Sequence, residues 1–379
     1  MLPLTLFVLA AIGLVVLAVN EWVSKATENA LILKQRADFD LAIANVQNEI
    51  AYVLGTSPLT FRGLEVGRFL ETFDRADPML AMTAEFRSDR YIRLDGTSYV
   101  MESQPNIVVR LYDGRGLINL NTVAQPYVRR MLGLFGLSEP ARNSLVDSLE
   151  DYTDRDDLTR ISGAEVQDYT RLGMPPPANT WLMNPLETQY VMGWDKVHQL
   201  WRRDAVEPLI TTCTTTGFNP NTASRDAILS TFPGIDEPSV QEVLKRRAER
   251  PFRNIREFAA VANTIAREEP FFFTFAPGSC IIIEVSQKQA DFRSRFSFTI
   301  ESANSKSKPW RIDYAFPVPS QPEAALPELD EPEFDDPKAR LEAIFPTPDT
   351  VDKYQRPDAE AERQGAPQSG RPESVVNAP

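Results

Sequence analysis

From Leu2 to Val19 the chain is apolar apart from Thr5, and from Asn20 to Leu54 no Pro or Gly interrupts it. The first stretch is about as long as a helix needs to be to cross the hydrocarbon core of a bilayer. A cleaved secretion signal is the alternative. Against it, no basic residue precedes the run and no small-x-small cleavage pattern clearly follows. Further on, Leu33, Ala37, Leu41, Ala44 and Val53 recur at roughly helical spacing, which predicts an apolar face. The two halves predict one long helix, with residues 1–20 in a membrane and residues 21–54 standing in water. Lys25 and Lys34 both lie beyond the membrane-length segment, so charge placement does not settle its orientation.

A helix with an apolar face needs a covering surface, and the strand signals mark where one is built. Residues 55–89 mix turn signals with short amphipathic pieces. Tyr91, Ile92 and Leu94, then Tyr99, Val100 and Met101, flank Asp95-Gly96, which predicts a hairpin. Ile107–Tyr112 reads as another strand, and strand signals return at Ile281–Val285, Phe292–Ile300 and Trp310–Phe316. Phe292, Phe296 and Phe298 share one parity among polar neighbours, as on a half-buried sheet. Between the two groups of strands the periodicity is helical. The expected architecture is therefore α+β: residues 55–118 begin an α/β domain, a mostly α-helical domain is inserted over 119–275, and 276–316 return as closing strands. Residues 317–379 are rich in Pro, Glu and Asp, and they predict a disordered acidic tail that cannot bury enough apolar surface to fold.

The helical region contains an internal repeat. Ile118-Asn119-Leu120-Asn121-Thr122-Val123 is echoed by Phe218-Asn219-Pro220-Asn221-Thr222-Ala223. Gly136-Leu137-Ser138-Glu139-Pro140-Ala141 is likewise echoed by Gly234-Ile235-Asp236-Glu237-Pro238-Ser239. Asn or Thr in the first element can cap a helix, and Glu-Pro suits a first helical turn. The second copy looks like a helix-hairpin-helix unit, a module that often binds nucleic-acid backbone. Here, however, Asp236 and Glu237 stand where phosphate would approach, and the chain's net charge is −13. A membrane-anchored helix-hairpin-helix protein binding DNA or a protein ligand is kept as the alternative reading.

Candidate chemistry gathers between Asp147 and Tyr169, where Asp151, Asp154, Asp156, Asp157, Glu165 and Asp168 lie close in sequence, with Gly163 available for a sharp turn. Carboxylates this dense repel one another, and a divalent cation relieves the repulsion. Ca²⁺ takes several oxygen ligands from a loop bent around one point. The spacing is not that of an EF-hand, and a solvated acidic loop is the plain alternative. The only histidine, His198, leaves no multi-histidine metal site, and no nucleophile elbow, P-loop or zinc motif is present. Of the enzyme classes, an acidic pair serving glycoside hydrolysis is the rival to a bound metal, and the metal explains the cluster without a substrate cleft. Cys213 and Cys280 can form a disulfide in an oxidising compartment, or remain as buried free thiols.

These features, in this order, resemble the minor pseudopilin K family of type II secretion, general secretion pathway protein K. They are an apolar N-terminal helix with Thr5 where related subunits carry a glutamate, then Asp113-Gly114-Arg115-Gly116-Leu117-Ile118-Asn119-Leu120-Asn121-Thr122 after a strand. Asp151-Tyr152-Thr153-Asp154-Arg155-Asp156-Asp157 follows, with Gly163-Ala164-Glu165 and Asp168-Tyr169, and last comes Asn219-Pro220-Asn221-Thr222-Ala223. The resemblance covers the chain to about Phe316. It implies a pilin-like fold, with a long helix packed on an antiparallel sheet and a large helical domain inserted. It further implies an inner-membrane anchor, a periplasmic head, and a place at the pseudopilus tip beside minor pseudopilins I and J. Calcium, as a structural ion, is implied at Asp154, Asp156, Glu165 and Asp168, with Asp151 and Asp157 as further candidates. Neither a nucleic acid nor a small-molecule substrate is implied.

Overall fold

The computed structural model describes residues 2–66, 90–101, 103–122, 124–197, 200, 208–264, 272–288, 292–301 and 309–318. His198, and the expected tail from residue 319 on, lie outside the described residues. The strands are β1 (Leu59–Thr60), β2 (Gly63–Glu65), β3 (Tyr91–Ile92), β4 (Asp95–Met101) and β5 (Gln104–Asp113), then β6 (Ile118–Asn119), β7 (Ile210–Thr211), β8 (Cys280–Gln287), β9 (Arg293–Ile300) and β10 (Trp310–Pro317). The α-helices are α1 (Leu2–Thr56), α2 (Gln125–Leu134), α3 (Glu139–Thr153), α4 (Val166–Leu172), α5 (Arg225–Thr231), α6 (Glu237–Glu249) and α7 (Ile255–Ala262).

Helix α1 runs unbroken, because nothing between Asn20 and Leu54 removes a backbone donor or loosens a turn. Its first part is long and apolar enough to cross a membrane, and none of that window is buried within the molecule. Its second part packs on the sheet through Phe39, Ala42, Val46, Ile50 and Val53, all nearly inaccessible. Burying each of the larger of these side chains is worth about 1.5–3 kcal/mol, which holds the helix to the sheet. The stripe expected from the sequence is a different one. Of its members only Val53 is buried, while Leu33 and Leu41 are exposed. At about 100° per residue, Leu33, Ala37, Leu41 and Ala44 lie on the side of the helix opposite Phe39, Ala42, Val46 and Ile50. Both stripes are apolar, so periodicity alone does not say which one meets the sheet.

The main sheet is fully antiparallel, in the order β10-β9-β8-β5-β4. β1, β2 and β3 form a small second sheet. Asp95-Gly96, expected to turn a hairpin between two strand runs, instead opens β4, and β3 pairs with β2. Gly96 has φ +89°, within a register irregularity between Asp95 and Ser98. A Cβ there would run into the Tyr112 ring. The hairpin itself closes where Met101 pairs with Gln104.

Adjacent strands β5 and β8 are where the helical region leaves and rejoins the sheet, Asp113 standing opposite Ile281. Cys213 is disulfide-bonded to Cys280 with 6.2 Å between Cα atoms, so the insertion is tied to the returning strand. Asp113 binds the same junction from inside. Its Oδ1 accepts from Arg115 N (3.1 Å) and Gly278 N (2.9 Å), and its Oδ2 accepts from Asn219 Nδ2 (2.9 Å) and Thr222 Oγ1 (2.8 Å). Burial pushes its carboxyl pKa up even though these four donors pull the other way.

The internal repeat is structural, and its asparagines serve a purpose other than the helix capping expected of them. In each copy the first Asn turns its own chain, Asn121 N donating to Asn119 Oδ1 (3.1 Å) and Asn221 N to Asn219 Oδ1 (3.0 Å). The second Asn clamps a distant loop at both backbone groups. Asn121 Nδ2 donates to Leu182 O (3.0 Å) and Oδ1 accepts from Leu182 N (3.0 Å). Asn221 does the same to Phe252, at 2.8 Å for each bond. The spare donor of each amide reaches a third segment, Thr212 O or Phe275 O. A side chain bonded to two or three buried backbone groups satisfies donors and acceptors that loops otherwise leave open. The helices α2 and α5 that follow begin after Ala124 and Ser224, and only Ser224 makes a side-chain cap. Glu-Pro does open a helix in both copies, α3 and α6.

Candidate metal-binding loop

The acidic loop starts where α3 ends. Asp151, on the last turn of α3, is fully buried, and Arg160 folds back over it. Arg160 N donates to Asp151 Oδ2 (3.1 Å), and its Nη1 reaches Asp151 Oδ1 (2.9 Å) and Asp154 Oδ2 (2.6 Å). Its Nε pairs with Glu150 Oε2 at 2.7 Å. Burial works against the Arg160 charge, but Asp154, Asp151 and Glu150 outweigh it and raise its pKa. Asp147 Oδ2 accepts from Ser162 N at 3.1 Å, which closes the loop from the other side. Gly163 is required for space rather than for a special turn: a Cβ there would overlap the Asp151 carboxylate.

Glu165 precedes α4 and is buried, and neither of its carboxylate oxygens makes a well-formed hydrogen bond among the described residues, although the Val166 N–H acts on the carboxylate. Burial, together with the negative charges of Asp151, Asp154 and Asp157, pushes its pKa up to about 7. Two further acceptors are buried and unpartnered, Asp154 Oδ1 and Asn179 Oδ1. Asn179 reaches the cluster through its Nδ2, which donates to Asp157 Oδ1 at 3.4 Å. Among the described residues, one guanidinium thus stands against Glu150, Asp151 and Asp154, and none pairs with Glu165.

The six carboxylates singled out in the sequence are only partly brought together. Asp151, Asp154, Asp157 and Glu165 share one electrostatic neighbourhood. Asp156 is exposed and accepts from Leu158 N (3.0 Å). Asp168 accepts from Glu165 N (3.3 Å) and pairs with Arg171 (3.4 Å), so it serves the start of α4. Both Asp151 oxygens are taken by Arg160. As these side chains lie, no group of three or more Asp, Glu, His or Cys among the described residues is arranged to hold a metal ion. Of the four positions implied for calcium, Asp154 and Glu165 lie together, while Asp156 and Asp168 accept from nearby backbone; of the two further candidates, Asp157 lies in the same neighbourhood and Asp151 is held by Arg160. Arg160 and Asn179 are the members that sequence reasoning missed; an Arg among acids is an ordinary signal for an internal counter-ion, while Asn179 gives none.

Comparison with known proteins places this loop in context. Residues 108–211 match the family model described as type II secretion system (T2SS), protein K. Among solved structures, the chain is similar to a component of the GspK-GspI-GspJ complex of the type 2 secretion system of enterotoxigenic Escherichia coli. That likeness has 16% identity and a TM-score of 0.42, and it covers 60% of this chain and 89% of that one. No curated protein matches the chain. The similarity to type II secretion system protein K thus spans residues 108–211, from β5 through the acidic loop to β7.

Proposed function

We propose that the chain is a minor pseudopilin capping the tip of a type II secretion pseudopilus and helping to initiate its assembly for protein export. In this reading α1 is anchored in the inner membrane and the head lies in the periplasm. The observation that carries it is the two-sided helix. The sheet covers one stripe of α1, while Leu33, Leu41 and Tyr52 on the other side remain 70%, 64% and 65% exposed. A long apolar stripe continuous with a membrane-length segment calls for partners lying in the same layer, and other membrane-anchored helices fit that need. The solved Escherichia coli complex contains GspK, GspI and GspJ, and minor pseudopilins of the latter two kinds are the neighbours assigned here. No acidic residue lies between Leu2 and Asn20, which in this reading supports an end position, since related subunits use a glutamate in their apolar segment to pair with the preceding subunit's N-terminus.

Calcium is the second part of the proposal. The orphaned oxygens of Glu165, Asp154 and Asn179 fit a hard cation. Asp154, Asp157 and Glu165 would hold it, with Asn179 adding a carbonyl oxygen and Arg160 keeping Asp151 neutralised beside it. The ion would supply the positive charge that the cluster lacks and would staple the loop; no reaction is assigned to it.

The helix-hairpin-helix alternative has less support. Asp236 Oδ1 accepts from Ser239 N (2.9 Å) and Glu237 pairs with Arg225 (2.5 Å), so the chain's own carboxylates occupy the hairpin's donors.

The test is co-purification of the full chain, in detergent, with minor pseudopilins I and J. Leu41→Glu should abolish it while leaving the thermal unfolding of the head unchanged, because Leu41 touches neither core. Undiminished co-purification would refute the helix-face argument.

A further inference from the structure

Away from the acidic loop, a cavity of about 270 Å³ opens between the small sheet and α6. Phe61, Arg62, Tyr91, Arg93, Asp95 and Arg247 are among the residues that line it. Arg247 stands on α6 and its side chain is only 8% exposed. Its Nη1 donates to Pro220 O (3.1 Å) and Ala223 O (2.5 Å), which fixes the guanidinium plane against the second repeat. The opposite edge is open. Among the described residues, Nε is buried with no hydrogen-bond partner, and Nη2 forms a long ion pair with Asp95 Oδ2 at 3.9 Å. The Nε–Nη2 edge is one of the two faces through which a guanidinium grips both oxygens of a carboxylate.

Asp95 does not fill that role. Its Oδ2 is held by Arg93 through Nε (3.0 Å) and Nη2 (2.5 Å), and its Oδ1 accepts from Thr97 Oγ1 (2.7 Å). Burial pushes the Asp95 carboxyl up, but Arg93 and Arg247 outweigh it and hold it below its usual value. Burial pushes the Arg247 guanidinium down to about 10, against the pull of Asp95. A buried cation with one distant counter-ion and an unused donor edge is an incomplete pair.

We propose that this cavity binds a single organic carboxylate, gripped by the Nε–Nη2 edge of Arg247. The walls favour a carbon-bearing ligand over bare phosphate, since Phe61, Leu94 and Tyr91 line them and Arg62 stacks over the Tyr91 ring at 3.8 Å. The carboxylate has two possible sources, a free small acid or an acidic side chain of a polypeptide. This chain's own residues 323–336 carry seven acidic residues and no basic one.

The test titrates the full chain in detergent with N-acetylglutamate, with a synthetic peptide of residues 323–336, and with inorganic phosphate, by calorimetry. Arg247→Lys keeps the charge but removes the fork, and Ala248→Glu places a carboxylate at the exposed rim without touching Arg247. Saturable binding of a carboxylate probe that falls at least tenfold in both variants is expected. Binding of the peptide alone would assign the site to polypeptide acids, and binding of N-acetylglutamate as well would admit free acids. Binding of neither, binding indifferent to both variants, or phosphate held as tightly as either would overturn the proposal.

Discussion

Glu165 offers the sharpest handle on the acidic loop. Its carboxyl pKa is raised from 4.5 to about 7, by burial first and by Asp151, Asp154 and Asp157 after it. A carboxyl that binds its proton more tightly in the folded chain makes folding weaken as pH rises between those two values. The shift sets an upper bound of about 3 kcal/mol. The loop opens to water at the exposed Asp156 and Asp157, and screening there reduces the expected loss to about 1 kcal/mol. Without calcium, then, the native chain should be less stable at pH 7.5 than at pH 5 by about that amount from this group. Glu165→Gln removes the titration, so it should flatten this part of the pH profile and raise stability at pH 7.5 in a chelator. With about 5 mM calcium and the affinity usual for extracellular sites, the native chain gains about 1–2 kcal/mol by mass action, or several degrees in Tm. The Gln variant should lose most of that gain. The assay is thermal unfolding of the full chain in detergent, followed by circular dichroism, with chelator or calcium at pH 5, 6 and 7.5. Calcium shifts of equal size in both proteins would refute the assignment of Glu165 as a ligand. Parallel pH profiles in chelator would refute the electrostatics behind it.

Two further outcomes test the scaffold. Replacing Cys213 and Cys280 by Ser releases a loop whose ends are 67 positions apart, which should destabilise the chain by about 4 kcal/mol in the chain-entropy account; urea unfolding measures it, and a loss below about 1 kcal/mol would mean the junction at Asp113 holds the insertion alone. Asn221→Ala strands the buried Phe252 N, Phe252 O and Phe275 O and should cost about 3 kcal/mol by the same assay, with Asn121→Ala giving a loss of the same order because its clamp has the same form.

Much of the architecture was legible because it rests on short-range patterns. The alternation of Phe296 and Phe298 marks β9, and Glu-Pro marks the starts of α3 and α6, because both signals depend on a residue and its near neighbours. What resisted reading depends on contacts far along the chain. The face of α1 that meets the sheet is chosen by shape, since both stripes are apolar. Asp95-Gly96 has the composition of a hairpin turn, but the Tyr112 ring turns its glycine into a bulge. The Asn-x-Asn pairs were visible as a repeat, while their role as clamps depends on loops 31 and 61 residues away. In the acidic loop the density of carboxylates was plain, but Arg160's neutralisation of Asp151 and the turning aside of Asp156 and Asp168 required the fold.

Superposing the two repeats in thought explains why the acidic loop needs outside help. Asn121 clamps Leu182 as Asn221 clamps Phe252, so these two residues occupy equivalent places. Two positions later, Asn184 and Asn254 each cap the next helical segment, accepting from Leu186 N and Glu257 N. Between the end of the Glu-Pro helix and the clamped residue, the second copy has only residues 250–251, whereas the first has residues 154–181. The acidic loop and α4 are therefore an excursion from a unit that closes without them. Tyr169 anchors this excursion to the core, fully buried with its hydroxyl accepting from Met192 N at 2.8 Å. Its other end carries the carboxylates, where, among the described residues, one arginine faces three acids and none pairs with Glu165. The excursion thus meets the core through Ala164, Tyr169 and Met174, and its acidic end is held by local charge. An ion bound there would order residues 154–181 without being needed for the repeat itself, so chelation should free the loop in hydrogen exchange while α5 and α6 stay protected.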